Sequence, residues 1–136
     1  MLIEVWSDVV CPWCYIGKRR LEKALARFEH ADEVEVVWRS FELDPNTPPD
    51  AVGDLVEHLA AKYGGGRSGA LAMMDRVATV ASEDDLHYRF DLAQRSNTFD
   101  AHRLIHLAAA NGLQGEMKER LLQAYFTEGA AINDHS

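Results

Sequence analysis

Two cysteines occur in the 136 residues, and they stand three apart in Cys11-Pro12-Trp13-Cys14. Thiols at that spacing can exchange electrons as a dithiol/disulfide pair, supply half of a metal site, or close a structural bridge. Electron exchange needs two sulfurs within bonding reach, one of them the better nucleophile. A pair at the start of a helix meets both needs. One helical turn brings the Cα atoms within the ~4.4–6.8 Å that a disulfide tolerates. Cys11, just before the first turn, faces unpaired N–H groups and the positive end of the helix dipole. These favour thiolate and lower a thiol pKa from about 8.5 toward ~3.5–7. Each unit of lowering is ~1.4 kcal/mol in favour of the reduced form, which makes the disulfide more oxidising. Cys14, one turn further in, is expected to be shielded and to resolve what Cys11 begins.

The competing chemistries are poorly supplied. A closed zinc site takes four ligands, so histidines would have to complete it. The best pair, His102 and His106, has the i, i+4 spacing, but Arg103 follows His102 where a metalloprotease helix carries Glu. No metal is expected. A structural bridge across so short a loop would constrain little of the unfolded chain. Asp8, three residues before Cys11, could move protons for the thiols or simply cap the turn. The run GGGRSG at 64–69 lacks the Gly-Lys-Ser/Thr ending of a phosphate loop and reads as a helix-ending hinge. Glu83-Asp84-Asp85 reads as a solvated helix end, and Met73 and Met74 fall at core spacing, with one of them buried.

The pair has to be positioned by the elements around it. Residues 2–8 read as a strand, and Pro12 sits where a helix start tolerates proline. Apolar residues at helical spacing through Leu21, Leu25 and Phe28 predict a helix of about five turns. A second strand is expected over 34–43, parallel to the first by the crossover rule. The proline-rich stretch 44–50 breaks regular structure, and beyond it the pattern is nearly all helical. One helix carries Val52, Leu55, Val56, Leu59 and Tyr63, and a second follows a Ser68 cap through Ala81. Residues 86–90 could form a short extended piece. A third helix opens at Asn97 and closes at Gly112, and a last one ends near Gly129. The division is therefore 1–45, a βαβ unit with the cysteine pair, and 46–136, a helical domain.

Composition narrows the function. Fourteen basic against 22 acidic residues give a net charge of −8, which repels nucleic acid and anionic lipid, so neither is an expected partner. No apolar run approaches the ~20 residues of a spanning helix, and the start lacks the pattern of a secretory signal. A cytoplasmic location is expected, where paired cysteines are more often catalytic than structural.

Three segments, SDVVCPWCYIGKRRLEKAL, SFELDP and NTFDAHRLIHLA, together resemble the DsbA-like branch of the thioredoxin superfamily. Within it they resemble the FrnE-type subgroup of oxidoreductases, relatives of the hydroxychromene-carboxylate isomerases. The resemblance covers nearly the whole chain. It implies an α/β fold, a thioredoxin-like βαβ half joined to a large helical insertion. It also implies Cys11 as attacking thiol and Cys14 as resolving thiol, supported by Pro12, Trp13 and Asp8. The helix near Asn97 would shade the active site, with Asn97, Phe99 and His102 toward the substrate groove. The related isomerases carry serine where Cys11 stands and use glutathione as a cofactor. Cys11 therefore argues for redox work, with no required cofactor and glutathione as a possible co-substrate. In the family the thioredoxin domain resumes after the insertion with a cis-proline loop, two strands and a helix. Here the last proline is Pro49, and the expectation is a truncated chain or fragment.

The function expected is exchange with a thiol or disulfide substrate, protein or small molecule, through a mixed disulfide at Cys11. The alternatives are a glutathione-dependent isomerase and a catalytically impaired fragment that mainly self-associates through an exposed sheet edge, as a homo-oligomer.

Overall fold

The computed structural model describes residues 1–136. Strand β1 (Leu2–Ser7) runs into helix α1 (Pro12–Ala26), a 3-10 turn at Ala31–Glu33 and strand β2 (Glu35–Ser40). The two strands pair in parallel, from Leu2 opposite Glu35 to Ser7 opposite Ser40. Four helices follow: α2 (Leu55–Tyr63), α3 (Gly66–Ser82), α4 (Phe99–Ala110) and α5 (Gln114–Phe126). No helix is long and apolar enough to cross a membrane.

Helix α1 starts where its sequence says it should. Pro12 occupies the first turn, and Cys11 is the N-cap, with extended backbone. The helix stops at Ala26, so Phe28 lies past its end and is exposed. The expected five turns are about four. Residues 41–43 likewise leave β2 after Ser40, to be held by a side chain described below. Val52 is 81% exposed and outside α2, which begins instead with Asp54 accepting from Val56 N–H at 2.7 Å. Ser68 is not a cap either, because α3 already starts at Gly66. At α4 Thr98 immediately precedes the helix without capping it; the capping side chain is Asn97, as expected, whose Oδ1 accepts from Phe99 N–H at 2.9 Å. Residues 86–90 are irregular, yet Leu86 and Tyr88 are buried in the core.

One apolar core spans both parts of the chain. Val9, Tyr15 and Ile16 from the first part pack with Val77, Ala81, Ala101, Ile105, Leu122, Tyr125 and Phe126 from the helices. Tyr88 stacks on Phe126 with ring centroids 4.6 Å apart. A smaller cluster of Val56, Ala70 and Met74 joins α2 to α3, so Met74 is the buried one of the two methionines. Ion pairs tie the surface of α1 to its neighbours. Glu119 of α5 accepts from Lys18 Nζ at 2.9 Å and from Arg19, and Asp84 accepts from Arg20 Nε at 2.7 Å.

The two edges of the sheet differ. On β2, Trp38 N–H donates to Gln114 Oε1 and Gln114 Nε2 donates to Trp38 C=O, both at 3.1 Å. The side chain of Gln114 thus substitutes for a neighbouring strand. On β1, the bonds of Glu35 N–H to Met1 C=O and Phe41 N–H to Ser7 C=O fix the alternation of the ladder. The backbone groups of Leu2, Glu4 and Trp6 consequently face the open side.

Candidate active site

The loop between β1 and α1 brings the cysteines to the mouth of a cavity. Both thiols are free and half-buried. Cys14 N–H donates to Cys11 Sγ at 3.2 Å, so the sulfur of Cys11 occupies the place that an oxygen takes at ordinary helix caps. Pro12 C=O accepts from Tyr88 Oη–H at 2.6 Å, which anchors the turn to the core. Trp13 is exposed beside it.

The sulfurs titrate as a pair. Their mutual hydrogen bond is the first cause for both: it brings the Cys14 thiol down to about 6 and pushes Cys11 up. One proton leaves easily because the remaining S–H stabilises the thiolate, and the second is held. The expectation that Cys11 alone is acidic is thus replaced by a shared ionisation. Burial opposes it at both sulfurs; the backbone of Asp8 and the charge of Lys118 favour it at Cys14, and the N–H groups of Cys14 and Trp13 favour it at Cys11.

Lys118 belongs to no motif of the sequence and is prominent in the structure. It projects from α5, is 1% exposed, and lies with Nζ 5.1 Å from the centroid of Trp38. Burial lowers its pKa, and the charges of Cys14 and Asp8 pull the other way. A signal existed in the sequence. Lys118 stands four residues before Leu122 and seven before Tyr125, on the buried stripe of the helix.

Asp8 is a clamp. Its carboxylate is 1% exposed and accepts from Val9 N–H at 2.8 Å, Leu43 N–H at 2.9 Å and His102 Nε2–H at 2.9 Å. Burial pushes its pKa up, but the hydrogen bonds from His102 and Leu43 outweigh it and leave the group below its ordinary value. These bonds join the end of β1, the segment after β2 and helix α4. With its lone pairs so occupied, Asp8 is a held anion. His102 Nδ1 is buried without a partner. His106 turns elsewhere, 3.0 Å from Ser40 Oγ, so the two histidines meet different groups.

The cavity measures about 790 Å³ and is bounded by Cys11, Pro12 and Trp13 on one side and by α2, α3, Arg95, Ser96 and Thr98 on others. Cys14 does not line it, and faces a smaller cleft with Trp6 and Trp38. Of the residues expected toward a substrate groove, Asn97 is engaged with Thr47 C=O at 2.6 Å, Phe99 is exposed, and His102 is buried against Asp8. Their neighbours Ser96 and Thr98 form the wall instead. His58, Lys62, Arg76 and Arg95 also line it, and no motif announced them.

A βαβ unit with a dithiol at the start of its helix, and a helical layer over it, defines a thioredoxin-type domain of the DsbA kind. The family model for the DSBA-like thioredoxin domain matches residues 2–136, and the chain belongs to that family. It is similar to the crystal structure of a probable DsbA oxidoreductase, SCO1869 from Streptomyces coelicolor. The TM-score is 0.93 at 44% identity, covering 98% of this chain and 58% of that one. It is also 29% identical over 133 residues to the uncharacterized protein YwbO of Bacillus subtilis, covering 97% of this chain and 60% of that protein. The chain thus spans about three-fifths of the length of these relatives. The fold is mixed α/β, with a helical insertion after the first βαβ unit.

Proposed function

We propose that the protein is a thiol–disulfide oxidoreductase in which Cys11 attacks and Cys14 resolves. The observation that carries this reading is the division of the pair between two surfaces. Cys11 opens onto the large cavity and Cys14 onto a different, smaller cleft. Access therefore selects Cys11 although the charge is shared.

The step balances as a two-electron exchange. Cys11 thiolate bonds to one sulfur of a substrate disulfide, and the other leaves as thiolate with its electron pair. Cys14, its proton lost, then bonds to Cys11 Sγ and releases the second substrate sulfur. The substrate is reduced and the cysteines are oxidised, to be restored by a thiol such as glutathione acting as co-substrate. Run backwards, the same steps oxidise a substrate dithiol. Cys at position 11 and the segments quoted above support the FrnE-type, cytoplasmic assignment over the isomerase one.

Substitution separates the roles. Cys14→Ser should accumulate a mixed disulfide on Cys11, visible by mass spectrometry, whereas Cys11→Ser should abolish exchange. Accumulation on Cys14 in the Cys11→Ser protein, with turnover retained, would reverse the assignment.

A further inference from the structure

The protein carries far more acid than base, yet the cavity at Cys11 is walled by cations without carboxylate partners. Nine of the 14 lysines and arginines have a carboxylate within 4 Å. Of the five that do not, Lys62, Arg76 and Arg95 all line the cavity that Cys11 opens onto. They come from α2, α3 and the segment before α4, so no single helix face explains the grouping. Arg95 is the most telling. It is half-buried, and its Nε is buried with no acceptor. A buried guanidinium donor without a partner costs free energy unless something else fills the place. His58, on the same wall, feels the same field: burial and then the charges of Arg95 and Lys62 lower its pKa.

Two carboxylates also line the cavity, and neither neutralises the cations. Asp8 is committed to His102 and to backbone N–H groups. Asp44 accepts from Asn46 N–H at 3.1 Å and pairs with none of the three. The remaining wall is mostly apolar, with Leu55, Leu59, Met73, Val77 and Phe90 among its residues. Its volume lies within the ~300–1,000 Å³ usual for small-molecule sites.

We propose that this cavity binds a small disulfide or thiol with an apolar body and a carboxylate group, the carboxylate seated on Arg95 with Lys62 and Arg76. This inference rests on the oxidoreductase reading and adds the substrate class. The apolar body would lie along the α2–α3 wall and present its sulfur to Cys11. Arginine is suited to the task because its planar fork takes both oxygens of a carboxylate.

Three disulfides of different charge test it on the purified protein: anionic 5,5′-dithiobis(2-nitrobenzoate), neutral 4,4′-dithiodipyridine and cationic cystamine. Intrinsic reactivity differs among them, so the readout is each variant's rate relative to the unsubstituted protein. Arg95→Gln should lower the anionic-to-neutral rate ratio about tenfold, equivalent to ~1.4 kcal/mol. Lys62→Gln and Arg76→Gln, at exposed positions that put folding at little risk, should lower it by smaller factors. Arg95→Lys should restore part of it, and added salt should compress it. Equal changes for all three probes, or a ratio indifferent to these variants, would overturn the anionic site. Failure of the underlying reading looks different: the neutral probe would react no faster with the protein than with Cys11→Ser.

Discussion

At the residue scale the pair of sulfurs is governed by a neighbour from another part of the chain. Lys118 arrives on α5, about a hundred positions after Cys14, and sets a positive charge beneath a thiol that burial alone would keep protonated. Replacing it with methionine removes that charge while filling similar volume. The first ionisation of the pair should then rise by about one unit, read from the pH dependence of alkylation or of thiolate absorbance. The fold itself should suffer little, because a buried charge without an ionic partner is an expensive tenant. An unchanged titration midpoint together with a lower melting temperature would reduce Lys118 to packing. The charge of the Asp8 carboxylate acts with the opposite sign on Cys14, raising its pKa. The alkylation profile of Asp8→Asn should therefore shift to lower pH, provided that His102 keeps its place.

At the element scale, the Asp8–His102 contact is what fastens α4 to the end of β1. Breaking a buried pair by deleting one partner typically costs about 3–5 kcal/mol, and His102→Ala should fall in that range by denaturant unfolding. The pH dependence follows from the direction of the Asp8 shift. Its folded pKa lies below the unfolded value near 3.8, so its contribution is fully present above that value. It is lost as pH falls through the folded pKa. Asp8→Asn should accordingly show a flatter acid limb of stability below about pH 4; an identical limb would show that the carboxylate is not ionised in the folded protein. The sequence made some of this visible and hid the rest for physical reasons. Strand, cap and helix at residues 2–26 are dictated by local chemistry, so β1, Cys11 and Pro12 were legible. Helix periodicity similarly located α2 to α5, with errors at two starts: Asp54, not Val52, begins α2, and α3 begins at Gly66, ahead of Ser68. The Asp8–His102 pair and the convergence of Arg95, Lys62 and Arg76 were not legible, because each joins residues that only the tertiary path brings together. Asn97 and Phe99 sat in the right segment, but in the non-helical stretch before α4 it is the alternate residues Ser96 and Thr98 that face the cavity.

At the scale of the whole molecule the two sheet edges are unequal. The outer side of β1 offers the backbone groups of Leu2, Glu4 and Trp6, with the Trp6 ring 60% exposed beside them. An edge of this kind takes a further strand, whether from more of the same polypeptide or from a second copy. The isolated 136-residue polypeptide should therefore self-associate at micromolar concentration, as read by light scattering. A stable, strictly monomeric species would mean that β1 needs no neighbour. The far side of the sheet bears on the outcome, because Gln114 already occupies the middle of β2. Two copies meeting along β1 about a two-fold axis would place a β2 at each outer limit of a four-stranded sheet, both plugged at their midpoint. Only the backbone groups of Val36 and Ser40, on either side of that plug, would remain for a third. Such pairing would favour a couple over a fibre, because one amide side chain makes the second flank the poorer place to add a strand.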